Sequence, residues 1–182
     1  MYYLKEMIDF VNCQFKNAEL TPTEREKLYR WIYNIRPHKI LEIGTGSGGS
    51  TTYMAQAALD SNNSCTIYTC DPRRKPIPLF FKLYPFVRFY NTTSDIFTSK
   101  LDRIHFNFIF FDGPDNPHIA INDLIFLEKN MRKGTYFSMH DWDCNKAIRV
   151  RSYLQKADNW QRIEVIGKEE ESVGLCLYKF LG

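Results

Sequence analysis

The sequence lacks the features that mark a specialised environment. Its five cysteines (Cys13, Cys65, Cys70, Cys144 and Cys176) are odd in number and scattered, with no CxxC pair and no Cys/His ligand spacing. That excludes a disulfide scaffold and a structural zinc site. No apolar run reaches the roughly 18 residues of a membrane-spanning helix. The N-terminal stretch sets Lys5, Glu6 and Asp9 among its apolar residues, unlike a signal peptide. A formal charge of +3 is too small to argue for a polyanionic partner. Repeats and low-complexity segments are absent. What is left, 44% hydrophobic and 25% charged residues in 182 positions, is ordinary for one globular domain. The expectation is a single domain over 1–182 in a reducing, cytoplasmic setting, with no membrane and no nucleic-acid partner.

Residues 2–17 place Leu4, Met7, Ile8, Val11 and Phe15 at helical spacing. Thr21-Pro22-Thr23-Glu24 has the form of a capping box with proline at the first helical position. The helix it opens carries Leu28, Trp31, Ile32 and Ile35 on one face and stops at Arg36-Pro37. Residues 1–36 thus form a helical cap ahead of a core over 38–182. Strand-like and helix-like stretches then alternate: strands at 39–43, 65–70, 86–90, 106–111 and 135–139, helices at 49–59, 73–83 (weak, with Pro76 and Pro78), 119–131 and 144–157. Strands at 160–166 and 173–180 close the chain around the polar turn 167–172. The alternation predicts an α/β fold with a Rossmann-like, doubly wound, mostly parallel sheet. The last two strands are joined too tightly for a helical crossover and should form an antiparallel hairpin.

Ligands of open α/β sheets sit at the carboxyl ends of the strands. Four such ends carry notable residues: Glu42 with the turn Gly44-Thr45-Gly46-Ser47-Gly48-Gly49, then Asp71, then Asp112-Gly113, then His140-Asp141. Each aspartate alone is also an ordinary turn or cap residue. Glycines let a ligand approach the backbone, and the helix start beyond them offers unpaired N–H groups. Gly44-x-Gly46-x-x-Gly49 fits the dinucleotide fingerprint, with Asp71 where a ribose-binding acid belongs. Both nicotinamide and adenosylmethionine enzymes use that device. Glu42 discriminates, because a carboxylate beside the turn repels a pyrophosphate and suits a phosphate-free ligand with an ammonium group.

The segment from Leu41 to Ser50 resembles motif I of class I S-adenosylmethionine-dependent methyltransferases. Phe110-Phe111-Asp112-Gly113 with Asp123-Leu124, and the stretch from Met131 to His140-Asp141, are similar to the small O-methyltransferase-like branch. The resemblance implies S-adenosyl-L-methionine as cofactor. Gly44, Gly46 and Gly48 would line its methionyl part and Glu42 would lie near its amino group. Asp71 would hold the ribose hydroxyls, Ser94 and Asp95 would flank the adenine, and Asp112 would sit by the sulfonium and the acceptor. Asp95 has the alternative role of a helix N-cap.

An oxygen acceptor must lose a proton, to a general base or with help from a divalent cation. His140 is the candidate base, with an alternative as a histidine fixed structurally by Asp141. Metal-dependent relatives use aspartates at the positions of Asp112 and Asp141, so a Mg site there is the weaker alternative. Trp142, which follows, cannot ligate a hard cation, although Asp143 is close. His118 and His105 read as surface and structural residues, and Arg73-Arg74-Lys75 as a solvated helix start.

The expected function is O-methylation of a small-molecule hydroxyl, a sugar or natural product. A nicotinamide oxidoreductase and a non-catalytic cofactor- or partner-binding domain stay open as alternatives. The helix over 2–15 offers a homodimer contact.

Overall fold

The computed structural model describes residues 20–73, 82–101, 104–167 and 173–182. The expected helix at 2–17, with its dimer contact, and nearly all of that at 73–83 lie outside them. Helix α1 (Pro22–Ile35) starts with the expected capping box: Glu24 N–H donates to Thr21 Oγ1, and Thr21 N–H donates to Glu24 Oε2 at 2.7 Å. It ends on Arg36, whose φ of 54° breaks the helical course while its N–H still reaches the Ile32 carbonyl. Thr21→Ala removes the cap acceptor and should cost about 1 kcal/mol in urea denaturation; an unchanged midpoint would show that tertiary contacts alone hold the helix end.

The sheet then builds as β1 (Lys39–Ile43), β2 (Thr66–Cys70), β3 (Val87–Tyr90), β4 (Phe108–Phe111), β5 (Tyr136–His140), β6 (Trp160–Ile166) and β7 (Leu175–Phe180). Interleaved are α2 (Gly49–Asp60), α3 (Ser94–Ser99), α4 (Pro117–Glu128) and α5 (Ile148–Leu154), the last preceded by a 3₁₀ turn at Asn145–Ala147. The strand order is β3-β2-β1-β4-β5-β7-β6. The first five strands pair in parallel, and β7 pairs antiparallel with both β5 and β6. The order of the strands reverses between β1 and β4, where ligands bind in such sheets. No helix among the described residues is long and apolar enough to cross a membrane.

Side chains alternate across the sheet and fill two cores. Ile40, Ile67, Phe108 and Phe110 pack with Leu28 and Ile32 of α1 and Met54 of α2. Leu41, Ile43, Ile109, Phe111, Phe137 and Met139 pack on the other face with Leu124 of α4 and Val150 of α5. Near-continuous apolar strands follow from coverage on both faces.

Two boundaries differ from the sequence expectation in ways that matter. Strand β5 runs one residue further, to His140, which pairs with Leu175 and is buried. The helix expected at 144–157 is only Ile148–Leu154, and the chain before it tightens into the 3₁₀ turn that carries Lys146 inward.

Candidate active site

The strand ends enclose one cavity of about 760 Å³. The glycine turn forms its floor. Gly44, Gly46 and Gly48 have φ of 94°, 52° and 92°. Gly44 N–H and Thr45 N–H both donate to the Cys70 carbonyl, at 2.9 and 3.1 Å, while Asp112 N–H donates to the Ile43 carbonyl at 2.8 Å. The turn is therefore pinned to β2 on one side and β4 on the other.

Asp71, at the end of β2, lines the cavity. Its Oδ2 accepts from Gly46 N–H and its Oδ1 from Arg73 N–H, both at 2.8 Å. These bonds fix the carboxylate against the glycine turn and leave lone pairs on each oxygen for a ligand. Ser94 and Asp95, at the start of α3, also line the cavity. The N-cap of α3 is Thr93, so Asp95 does not take the cap position. Its carboxyl, bonded by the Thr93 side chain, lies below the usual range.

Glu42 is placed differently from the expectation. It points to the face covered by α2, is fully buried, and accepts from Ser50 Oγ and Thr51 Oγ1 at 2.5 Å each. Neither Glu42 nor Gly48 is among the residues lining the cavity. Burial pushes the Glu42 carboxyl up to about 7 against the pull of those hydroxyls. The contact seen here is with the first turn of α2, so Glu42 ties that helix to the glycine turn.

Asp112, His140, Asp141 and Lys146 form a dense charged cluster, of which Asp112, Asp141 and Lys146 line the cavity. Lys146 Nζ donates to Asp112 Oδ1 at 2.7 Å and lies 2.5 Å from Asp141 Oδ2. His140 Nδ1 lies 3.3 Å from Asp112 Oδ1 and 3.6 Å from Asp141 Oδ1, while Nε2 faces Glu24 Oε2 at 3.4 Å. Burial opposes the imidazolium, but the Asp112, Glu24 and Asp141 carboxylates outweigh it and bring the His140 pKa up to about 10. The three carboxylates therefore favour the imidazolium, and because a general base needs a free lone pair, this arrangement works against His140 in that role. Burial acts against the Asp112 carboxylate, yet His140 and Lys146 together hold it below its ordinary value.

The same cluster bears on the metal alternative. Asp112, His140 and Asp141 bring ligand atoms within 4.8 Å of one another. The Lys146 ammonium already bridges the two carboxylates and occupies the space an ion would need. Trp142 is buried on Tyr178 at 5.6 Å between ring centroids, and Asp143 Oδ1 takes Arg151 Nη1 at 3.3 Å. Neither stands in the cluster. The residues present do not fit a divalent cation.

Asp123 of α4, part of the motif that carries the resemblance but without an assigned role, adds a further group. It is 6% exposed and lines the cavity, and its Oδ2 has no hydrogen-bond partner among the described residues. Burial raises its carboxyl pKa, against a hydrogen bond from Ser94. His118 is exposed away from the cavity, and His105 Nδ1 lies 3.1 Å from the Asn130 carbonyl. Lys146 and the reach of Glu24 to His140 were both missed. Lys146 had no local signal, whereas the capping box marked Glu24 without indicating its distant partner.

A family model described as a methyltransferase domain matches residues 41–142. No curated protein matches the sequence. Among solved structures, the chain is similar to an O-methyltransferase from Bacillus cereus in complex with SAH, at 16% identity and a TM-score of 0.75, over 99% of this chain and 91% of that one. It is also similar to the O-methyltransferase TomG from Streptomyces achromogenes, involved in tomaymycin synthesis and in complex with SAM. The identity there is 17% and the TM-score 0.73, over 94% and 86% of the two chains. A methyltransferase from Geobacter sulfurreducens matches at 14% identity and a TM-score of 0.72, over 98% and 88%. At these identities the likeness establishes the shared fold.

Proposed function

The chain belongs to the methyltransferase-domain family, and from that premise we propose that it transfers a methyl group from S-adenosyl-L-methionine to a hydroxyl oxygen of a small molecule. The observation that carries the reading is the charge of the cavity wall. Asp71, Asp95, Asp112, Asp115, Asp123 and Asp141 line it, against Arg25, Arg73 and Lys146. A wall richer in carboxylates than in cations suits a cationic, phosphate-free nucleoside and disfavours the two phosphates of a nicotinamide cofactor. The buried Asp123 Oδ2, without a partner among the described residues, supports the same ligand, since leaving a carboxylate oxygen unpaired is costly and an N–H donor would satisfy it.

In this reading Gly44 and Gly46 border the methionyl part, and Gly48 helps hold the turn behind them. Asp71 accepts from the ribose hydroxyls. Asp123, with Ser94 and Asp95, faces the adenine and accepts from its amino group. When bound, S-adenosylmethionine supplies a sulfonium methyl open to in-line displacement, the C–S electron pair staying on sulfur as the C–O bond forms. The chain's own contribution is to align the acceptor and keep water out, the two effects that matter most for such a displacement. Asp141, more exposed than Asp112, takes the hydroxyl proton on a lone pair that Lys146 and His140 leave to it.

Isothermal calorimetry with SAH tests the reading. Binding is expected for the wild type, and Asp71→Asn should weaken it at least tenfold, the equivalent of one charge-assisted hydrogen bond of about 1.5 kcal/mol. Binding of NADH with none of SAH would overturn the proposal in favour of an oxidoreductase.

A further inference from the structure

We propose that the Lys146 ammonium is the acceptor-site cation of this protein, held between Asp112 and Asp141 in the place a divalent ion would otherwise take, and that it receives a single acceptor oxygen. The inference rests on the methyl-transfer reading above and deepens it.

Lys146 is 4% exposed, an unusual state for a lysine, and the 3₁₀ turn at Asn145–Ala147 delivers it to the strand ends. Two of its three N–H groups are used, one on Asp112 Oδ1 and one on Asp141 Oδ2. The third has no protein partner among the described residues, and Lys146 lines the cavity that the glycine turn opens. A buried ammonium with two carboxylates behind it and one N–H to spare is oriented, desolvated and charged. It can polarise an oxygen placed against it without reorganising.

The neighbours close the site to metal. The Asp112 and Asp141 oxygens facing the centre are taken by Nζ, and the His140 ring lies packed against Asp112, Asp141 and Glu24. A divalent ion would have to expel a positive charge from between two negative ones.

The substitution also changes what can be recognised. A metal ion offers several open positions and can chelate two neighbouring oxygens. One remaining N–H meets one oxygen. The acceptor class is therefore a lone hydroxyl, such as a phenol or a single sugar hydroxyl, with no need for a vicinal pair.

Mn²⁺ is the probe, followed by electron paramagnetic resonance in the absence of SAH. The wild type should bind no stoichiometric Mn²⁺ up to 1 mM on the order-of-magnitude scale of weak carboxylate sites. Lys146→Ala, which empties the space between the carboxylates, should bind at least tenfold more tightly. Stoichiometric Mn²⁺ binding by the wild type overturns the inference, and because that arm needs no variant, a failure of Lys146→Ala to fold does not affect it. The second arm measures labelled methyl transfer to phenol, catechol and monosaccharides in EDTA. Transfer to a lone hydroxyl that persists in EDTA and drops at least a hundredfold in Lys146→Met supports the inference. Transfer that EDTA abolishes and Mg²⁺ restores overturns it. If no acceptor in the panel turns over, the wild-type Mn²⁺ arm decides. Loss of SAH binding would sink the methyltransferase reading instead, and would leave the Mn²⁺ result standing.

Discussion

Gly44→Ala is expected to leave no stably folded protein. A Cβ at this position would lie 2.0 Å from the Asp112 carbonyl oxygen and 2.7 Å from its carbonyl carbon. Both are backbone atoms, so no rotamer relieves the clash. The backbone cannot retreat either, because Gly44 N–H is bonded to Cys70 on β2 while Asp112 N–H is bonded to Ile43 on β1. Accommodating one methyl group means parting β1 from β4 at the centre of the sheet. A φ of 94° adds conformational strain for any residue with a side chain. The loss should exceed about 4 kcal/mol, more than most single substitutions cost, because overpacking and backbone strain act together here. For a domain of this size that lowers the melting temperature by roughly 10 °C or more, or leaves no soluble protein.

Gly134→Ala is the control. Its φ is 95°, but an added Cβ would meet nothing within 4 Å, so only strain of about 1–2 kcal/mol is expected. Thermal unfolding of the two variants separates clash from strain. A Gly44→Ala protein melting within a few degrees of Gly134→Ala would show that β1 and β4 are less tightly coupled than their bonds indicate.

What the sequence made legible about this site follows one physical rule. The glycine turn, Asp71 and the strand ends were readable because their signals are local: a run of apolar residues, a break, and a residue type suited to the break. The capping box at Thr21–Glu24 was readable for the same reason. The face to which a strand residue points is also a local matter, and on that ground Glu42 was already a questionable cofactor contact. It shares the face of Ile40, which α2 covers, and α2 opens with the hydroxyls of Ser50 and Thr51. The argument against a pyrophosphate therefore moves from Glu42 to the aspartates of the cavity wall, where the sequence had placed only some of the acid.

The charge cluster was not legible, because its members come from four separate stretches of chain. Glu24 lies on α1, Asp112 follows β4, His140 and Asp141 end β5, and Lys146 sits on the 3₁₀ turn. Reading 144–157 as one regular helix made Lys146 an ordinary helical lysine. The tighter turn reverses that, and with it the identity of the cation between the two aspartates. Trp142 is a local signal of the same kind, a large apolar residue where a further oxygen ligand would stand, but it says nothing of what lies between the two aspartates.

His140→Phe is expected to destabilise the protein by about 3–5 kcal/mol, the usual cost of removing one partner from a buried ionic group. The imidazolium lies among Glu24 Oε2, Asp112 Oδ1 and Asp141 Oδ1, with Lys146 the other cation in the cluster. Without it, Asp112 and Asp141 share the Lys146 ammonium, and the contact that ties α1 to β5 is lost. The pH dependence isolates the cause. The folded pKa of His140, about 10, lies above its unfolded value near 6.5. Its contribution is therefore complete below about pH 6.5 and is lost as pH rises through 10. The raised Glu42 pKa acts at lower pH, with its contribution lost between about 4.5 and 7. The buried thiols of Cys65, Cys70 and Cys176 begin to act as pH passes their unfolded value of about 8.5, and the tyrosines with raised pKa values act near pH 10 and above. Between pH 7.5 and 8.5 the wild-type melting temperature should fall more steeply than that of His140→Phe, the thiols adding the same slope to both. Parallel curves would mean that His140 is neutral in the folded protein, and its Nδ1 or Nε2 would then be available as the base that the cluster otherwise denies it. Nitrogen-15 spectra at pH 8 give the direct reading: two protonated ring nitrogens for a cation fixed in place, one for a base.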